Sequence, residues 1–210
     1  MTNRYNRWIY RLWAPLYDRL LDWFFGPARR RAMELLQLKS GERVLLLGVG
    51  TGSELLLIPE GVSALGIDLS PEMLARARAK LPLAGREITL LEGDAQQPPV
   101  PDGSFDAVVL SLILSVVPDG AACLRAAMGA LKPGGRAVIF DKFAQAPGLA
   151  RQALNLVTSL LGTDITRSFA RLAASAQCTV LHDEPSILMG AYRIILVSPT
   201  EPSALCDGAR

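Results

Sequence analysis

Apolar residues recur along this chain in two rhythms. Short continuous or alternating runs predict strands at 43–48, 63–68, 87–92, 105–110 and 136–141, with two more near 177–184 and 189–197. Between them, returns at three and four positions predict helices from near 51, from Ser70-Pro71-Glu72, and over 119–131, 147–161 and 164–175. Ser70 is the expected cap and Pro71 the first-turn residue, with Met73, Leu74 and Ala77 turned inward. Strand, helix, strand repeats until the last two strands, which lie close together. The pattern predicts an α/β fold: a Rossmann-like, seven-stranded, mostly parallel sheet with an antiparallel last strand and helices on both faces.

The beginning of the chain follows a different pattern. Residues 3–12 put Tyr5, Trp8, Ile9, Leu12 and Trp13 near one side of a helix and Arg4, Arg7 and Arg11 on another. Pro15 breaks or restarts it, and a second helix is expected over 15–25 with Leu16, Leu20, Trp23 and Phe24. Pro27 then opens a helix over 27–38. The expected organisation is an amphipathic helical arm or lid (1–26), one domain (27–200) and a flexible tail (201–210). The arm has two readings: a lid packed on the body, or an interfacial helix whose rings enter a lipid headgroup region while arginines meet phosphates.

Charge sharpens this picture. Residues 1–31 hold seven arginines against Asp18 and Asp22, a net +5, so the rest of the chain carries −3 of the overall +2. A basic arm on a slightly acidic body suits an anionic surface. At 210 residues, half of them apolar, the chain has material for one good core and is not expected to be disordered. Cys123, Cys178 and Cys206 are widely spaced and His182 is the sole histidine, so neither a disulfide scaffold nor a metal centre is expected. No apolar run reaches the length of a membrane span and no secretory leader is recognisable. The expected setting is the cytoplasm, peripherally at the inner face of the cell membrane.

Candidate chemistry concentrates where strands end. Leu45-Leu46-Leu47-Gly48-Val49-Gly50-Thr51-Gly52 reads as a buried strand and a glycine-rich turn, and Asp68 closes the second strand 16 residues after Gly52. Glycines let backbone lie against a ligand, and a carboxylate at that place accepts hydrogen bonds from a ribose diol. Asp94-Ala95 follows the third strand, where an acid or a backbone amide meets an adenine amine, and Ser111 follows the fourth. All four places fall beyond the C-terminal ends of parallel strands, where such sheets hold ligands.

With Asp102-Gly103-Ser104-Phe105-Asp106 before strand four and Leu131-Lys132-Pro133-Gly134-Gly135 before strand five, the chain resembles class I S-adenosylmethionine-dependent methyltransferases, most strongly over 40–142. The resemblance implies S-adenosylmethionine as cofactor and S-adenosylhomocysteine as product. It implies that Gly48, Val49, Gly50 and Gly52 carry the methionine part, that Asp68 takes the ribose hydroxyls, and that Leu69 lies against the adenine, with Met73 a further cofactor-binding candidate. Asp94 and Ala95 would meet the adenine edge, and Ser111 and Leu112 would line the methyl-transfer cleft. One position departs: where the family often has an acid two residues before the first glycine, this chain has Leu46.

Within the family, Trp13-Ala14-Pro15-Leu16-Tyr17-Asp18 and Asp68-Leu69-Ser70-Pro71-Glu72-Met73-Leu74 resemble bacterial phosphatidylethanolamine N-methyltransferases and the menaquinone/ubiquinone C-methyltransferases. The basic, tryptophan-rich arm points to phosphatidylethanolamine and its partly methylated forms as acceptor. The alternative is C- or O-methylation of a quinone precursor or another small hydrophobic acceptor. Tyr17 is the first candidate for a catalytic rim tyrosine, orienting an amine or meeting methylated cations. Tyr5, Trp13, Tyr17, Lys142 and Arg193 are the candidate acceptor contacts, with Tyr10 behind them and Asp141 either an acceptor contact or the end of a strand. The expected partners are an anionic or ethanolamine phospholipid surface and a small-molecule or lipid acceptor. Nucleic acid is not expected, and the chain is expected to be a monomer.

Overall fold

A computed structural model of the chain describes residues 23–82, 86–143 and 167–200. The expectations for Tyr5, Tyr10, Trp13 and Tyr17, for the helix over 147–161 and for the tail lie outside the described residues.

Seven strands make one sheet: β1 (Arg43–Leu47), β2 (Ser63–Asp68), β3 (Glu87–Glu92), β4 (Phe105–Ser111), β5 (Leu131–Lys142), β6 (Cys178–Pro185) and β7 (Tyr192–Pro199). Their order is β3-β2-β1-β4-β5-β7-β6. The first five are parallel, β7 is antiparallel to β5, and β6 is antiparallel to β7. This is the mostly parallel sheet with a reversed last strand that the alternation predicts.

Helix α1 (23–36) and α2 (Pro71–Ala79) cover one face; α3 (Gly120–Ala130) and α4 (Phe169–Ala176) cover the other. Side chains alternate across a strand, so a continuous apolar run serves both faces at once. Leu45 and Leu47 pack with Leu110, Ile139 and Leu124 on the α3 side. Val44 and Leu46 pack with Val109, Phe140 and Leu36 on the α1 side. Leu46, where the family often has an acid, is therefore sealed in the second core. Ser70 caps α2 by accepting from the Met73 N–H at 3.3 Å, and Asp119 caps α3 by accepting from Ala122 at 2.9 Å.

Four local expectations are corrected. No α-helix starts near 51; that segment makes one 3₁₀ turn, Glu54–Leu57. Pro59 follows closely, and Leu55 and Ile58 bury while Leu56 between them stays exposed, a three-residue spacing that suits a 3₁₀ turn. Residues 23–36 form one helix running through Gly26 and Pro27, where the pattern predicts a fresh start. Phe25 holds it there, its ring 5.8 Å from Phe140 and 5.3 Å from Tyr192, and Ala28, Ala32 and Met33 continue the same buried stripe. β5 begins at Leu131 rather than 136, because the register slips between Phe105 and Ala107 and the intervening Lys132 docks on Asp106 at 2.8 Å. β7 begins at Tyr192 rather than 189, because Leu188, Met189 and Gly190 turn left-handed.

At its far end α1 is fastened by Arg136. The guanidinium donates to the Leu36 and Gln37 carbonyls at 2.5 and 3.0 Å and to both oxygens of Glu42 at 3.0 and 2.9 Å. Arg136 begins the regular part of β5, whereas Phe140 and Tyr192 lie at its other end. Helix α1 thus crosses the sheet from one edge to the other.

Candidate active site at the C-terminal edge of the sheet

The turn after β1 is built by two carbonyl-sharing bonds. Gly48 and Val49 both donate to the Ile67 carbonyl, at 2.8 and 2.9 Å, and Val49 accepts from Gly52 at 3.0 Å. The Val49 side chain is buried against Gly66, so this residue is occupied in holding the turn. Gly48 and Gly50 have φ of +71° and +56°, a region that side chains disfavour. Their surroundings differ. A Cβ on Gly48 would lie 2.5 Å from Ile113, whereas a Cβ on Gly50 would meet nothing within 4 Å. Gly48 is required by the protein; Gly50 faces open space on the ligand side.

Asp68 ties this turn to β2. Its carboxylate accepts from Gly50 at 2.8 Å and from Ser70 at 2.9 Å. Burial pushes its pKa up, against the lowering effect of the backbone N–H groups of Ser70, Gly50 and Leu69. Beyond β3, Asp94 accepts from the Gln96 backbone at 2.9 Å and from its side-chain amide at 2.9 and 3.1 Å, while Ala95 is buried in the first core. The Gln96 side-chain oxygen accepts from Asp119 at 2.8 Å, linking the loop after β3 to the start of α3. Leu69 and Met73 stand half-buried beside Asp68, Gly52 ends the turn, and Ser111 ends β4. The Ser111 hydroxyl oxygen is buried with no hydrogen-bond partner among the described residues.

The expected cofactor residues Gly48, Val49, Gly50, Gly52, Asp68, Leu69, Met73, Asp94, Ala95 and Ser111 thus share one sheet edge. That edge offers open space over Gly50, a half-buried carboxylate and an orphaned hydroxyl, which fits a nucleoside carrying polar groups at both ends.

Of the acceptor candidates, Lys142 ends β5 at the same edge, its ammonium 6.0 Å from the Tyr192 ring centroid. Arg193 reaches the edge too, but its guanidinium is held by Asp183 at 2.9 and 2.5 Å. Asp141 is fully buried and accepts from Ser115 at 2.9 Å and Lys142 at 2.8 Å, with burial raising its pKa. It fixes the loop after β4 from beneath. His182 pairs with Glu184 at 2.8 Å on the outer strand β6, away from the glycine turn.

Two residues escaped the sequence reading. Arg167 donates to the carbonyls of Leu114, Val117 and Pro118, clamping the loop after β4 from the α4 side. Nothing in the sequence marks an arginine that serves backbone carbonyls fifty residues away. Tyr192 was legible in principle: an antiparallel closing strand must begin at the ligand edge, so an aromatic at its start lands there.

The comparisons with known proteins agree with this geometry. A family profile described as "Methyltransferase domain" matches residues 45–139, from β1 to the middle of β5. A phosphatidylethanolamine N-methyltransferase of Cereibacter sphaeroides is 34% identical over 191 residues, 89% of this chain and 93% of that protein. The chain belongs to the class I S-adenosylmethionine-dependent methyltransferases. A demethylmenaquinone methyltransferase of Thermus thermophilus is 40% identical over 137 residues, but this methyltransferase spans only 61% of that relative's length. A Haloferax volcanii chain solved with a methyltransferase activator superposes with a TM-score of 0.75 over 95% of this chain and 99% of that one; at 19% identity this shows the shared fold. S-adenosylmethionine is accordingly the cofactor.

Proposed function

We propose that this methyltransferase transfers a methyl group from S-adenosylmethionine to a small hydrophobic acceptor that reacts as an anion, a reduced quinone-type ring being the leading class. One observation carries the reading: Lys142 places a cation against the Tyr192 ring at the sheet edge. A cation there favours the ionised hydroxyl of an aromatic diol and disfavours a protonated amine. The similarity to quinone-directed relatives supports the same class.

The roles of the chain's own residues follow. Gly50, Asp68 and Asp94 would hold the cofactor, which when bound supplies an electrophilic sulfonium methyl. Lys142 holds the acceptor as its phenolate. Leu112 and Ile113 line the approach with apolar surface and keep water from the line of attack. The loop carrying them is fixed by the Leu112 N–H donating to the Phe140 carbonyl at 2.7 Å, by Asp141 and by Arg167. The ring carbon held beside that methyl would be the atom that takes it, and the ring proton it replaces would leave to solvent.

A second reading is methylation of a phospholipid amine. Its support is specific: the phospholipid-directed relative matches along almost its whole length, and the arm's arginines and tryptophans suit a lipid surface. Radiolabelled S-adenosylmethionine offered together with a reduced prenyl-naphthoquinone and with phosphatidylethanolamine vesicles decides. Label on the ring carbon is expected. Label in the ethanolamine lipid instead would establish the second reading, and label in neither, with S-adenosylhomocysteine still bound, would defeat both.

A further inference from the structure

The loop between β6 and β7 carries two large apolar side chains in open solvent. Met189 is fully exposed and Leu188 is 58% exposed. Both are left-handed, with φ of +55° and +53°, followed by Gly190 at +82°. Side chains of this size rarely adopt that backbone. The loop is nonetheless closed by regular bonds: Ala191 donates to Leu188 at 3.1 Å, Tyr192 to Ile187 at 3.3 Å and Ser186 to Tyr192 at 2.8 Å. Ile187 packs inward on the second core. The hairpin therefore hides one apolar residue and turns the next two outward.

The start of α1 meets this hairpin. The Phe25 ring lies 5.3 Å from Tyr192 and 5.1 Å from Phe24, and Arg31 one turn and more below pairs with Glu184 at 2.9 Å. Trp23, 76% exposed, and Phe24 stand at that end of the helix. Two exposed apolar pairs thus flank the ligand edge of the sheet. The chain that reaches Trp23 brings an excess of positive charge, four arginines against two aspartates over residues 1–22.

We propose that Leu188 and Met189 form a membrane-inserting tip that, with Trp23 and Phe24, seats the ligand edge on an anionic lipid bilayer. The arginine excess is complementary to lipid phosphates. A tip of two side chains is far smaller than a stable protein interface, whereas it suffices to enter the headgroup region beside aromatic anchors. The proposal extends the acceptor reading above, since a prenylated or acylated acceptor dissolves in the bilayer.

The test uses the full chain with neither cofactor nor acceptor present. Vesicles of phosphatidylglycerol and phosphatidylcholine are floated with wild type and with the double variant Leu188→Asn, Met189→Asn. Asparagine tolerates the left-handed backbone and leaves the charge unchanged, so the fold and the melting temperature are expected to hold. The partition coefficient is expected to fall about tenfold or more, with S-adenosylhomocysteine affinity and turnover of a short-tailed, water-soluble acceptor unchanged. An unchanged partition coefficient overturns the proposal. So does a loss of water-soluble acceptor turnover, which would assign the tip to the acceptor site instead. Vesicle binding by a wild-type chain that methylates neither quinone nor phospholipid would break the acceptor reading and leave the tip standing.

Discussion

Alanine at Gly48 and alanine at Gly50 should separate the two tasks of the glycine turn. At Gly48 the new Cβ would lie 2.5, 2.7 and 3.1 Å from Cδ1, Cγ1 and Cβ of Ile113, which packs on the first core. The left-handed backbone costs about 1–2 kcal/mol for an L residue. Forcing Ile113 aside adds about 1–3 kcal/mol. The combined loss of about 2–5 kcal/mol corresponds to a melting temperature lower by roughly 4–20 °C at this chain length. At Gly50 only the backbone cost applies, because its Cβ meets no atom within 4 Å. Gly50→Ala should therefore melt only about 2–8 °C lower. Its Cβ instead projects into the space assigned to the cofactor. At a ligand concentration about 100 times Kd, wild type gains about 2.7 kcal/mol from binding. Gly50→Ala should lose most of that gain. A thermal melt with and without S-adenosylhomocysteine reads both effects. Equal melting of the two unliganded variants, or a full ligand-induced shift in Gly50→Ala, would refute the division of labour.

Two further outcomes follow from the site and its surroundings. Asp68→Asn removes a charged acceptor and turns an amide N–H toward Gly50 or Ser70; loss of a charge-assisted bond of about 1.5–3 kcal/mol should weaken S-adenosylhomocysteine binding by about 10- to 100-fold in calorimetry, and unchanged affinity would remove Asp68 from the ribose site. Arg31 and His182 hold the Glu184 carboxyl down to about 2, below its ordinary 4.5. A depressed carboxyl stabilises the fold above its unfolded pKa and loses that contribution as pH falls through the folded value. The denaturation midpoint of Glu184→Gln should therefore lie below wild type at neutral pH, the gap closing between pH 4.5 and about 2; a gap independent of pH would contradict the ion-pair assignment.

The sheet was legible because burial on two faces leaves a rhythm no surface segment shares: Val44 to Leu47 is apolar at every position, and so is Ala107 to Leu110. The candidate edge was legible for a related reason. Glycine, aspartate and serine stand where apolar runs stop, and parallel topology gathers those stops at one side. Other features depend on partners far along the chain. Asp141 looks like an acid available at a strand end, yet it is buried under Ser115, a placement that no local pattern encodes. Arg31 and Glu184 are joined across 153 positions, and Arg167 serves carbonyls at 114, 117 and 118. The continuous α1 shows tertiary packing overriding a local signal: Phe25 in its aromatic pocket outweighs the interruption that Gly26-Pro27 invites. The acceptor is the least legible part, because the arm's arginines favour a lipid surface whereas Lys142 favours an anion.

The position of β1 has a consequence for biosynthesis. Among the described residues it is the first strand to leave the ribosome, yet it lies inside the sheet between β2 and β4. Until Phe105–Ser111 has been translated, Leu45, Leu46 and Leu47 have one hydrogen-bonding flank empty and both faces lacking their later partners. The nascent chain therefore carries a half-paired strand, apolar at every position after Arg43, through much of its translation, the kind of segment that chaperones bind and that aggregates when they are absent. Truncation before β4 should yield insoluble product rather than a smaller folded domain.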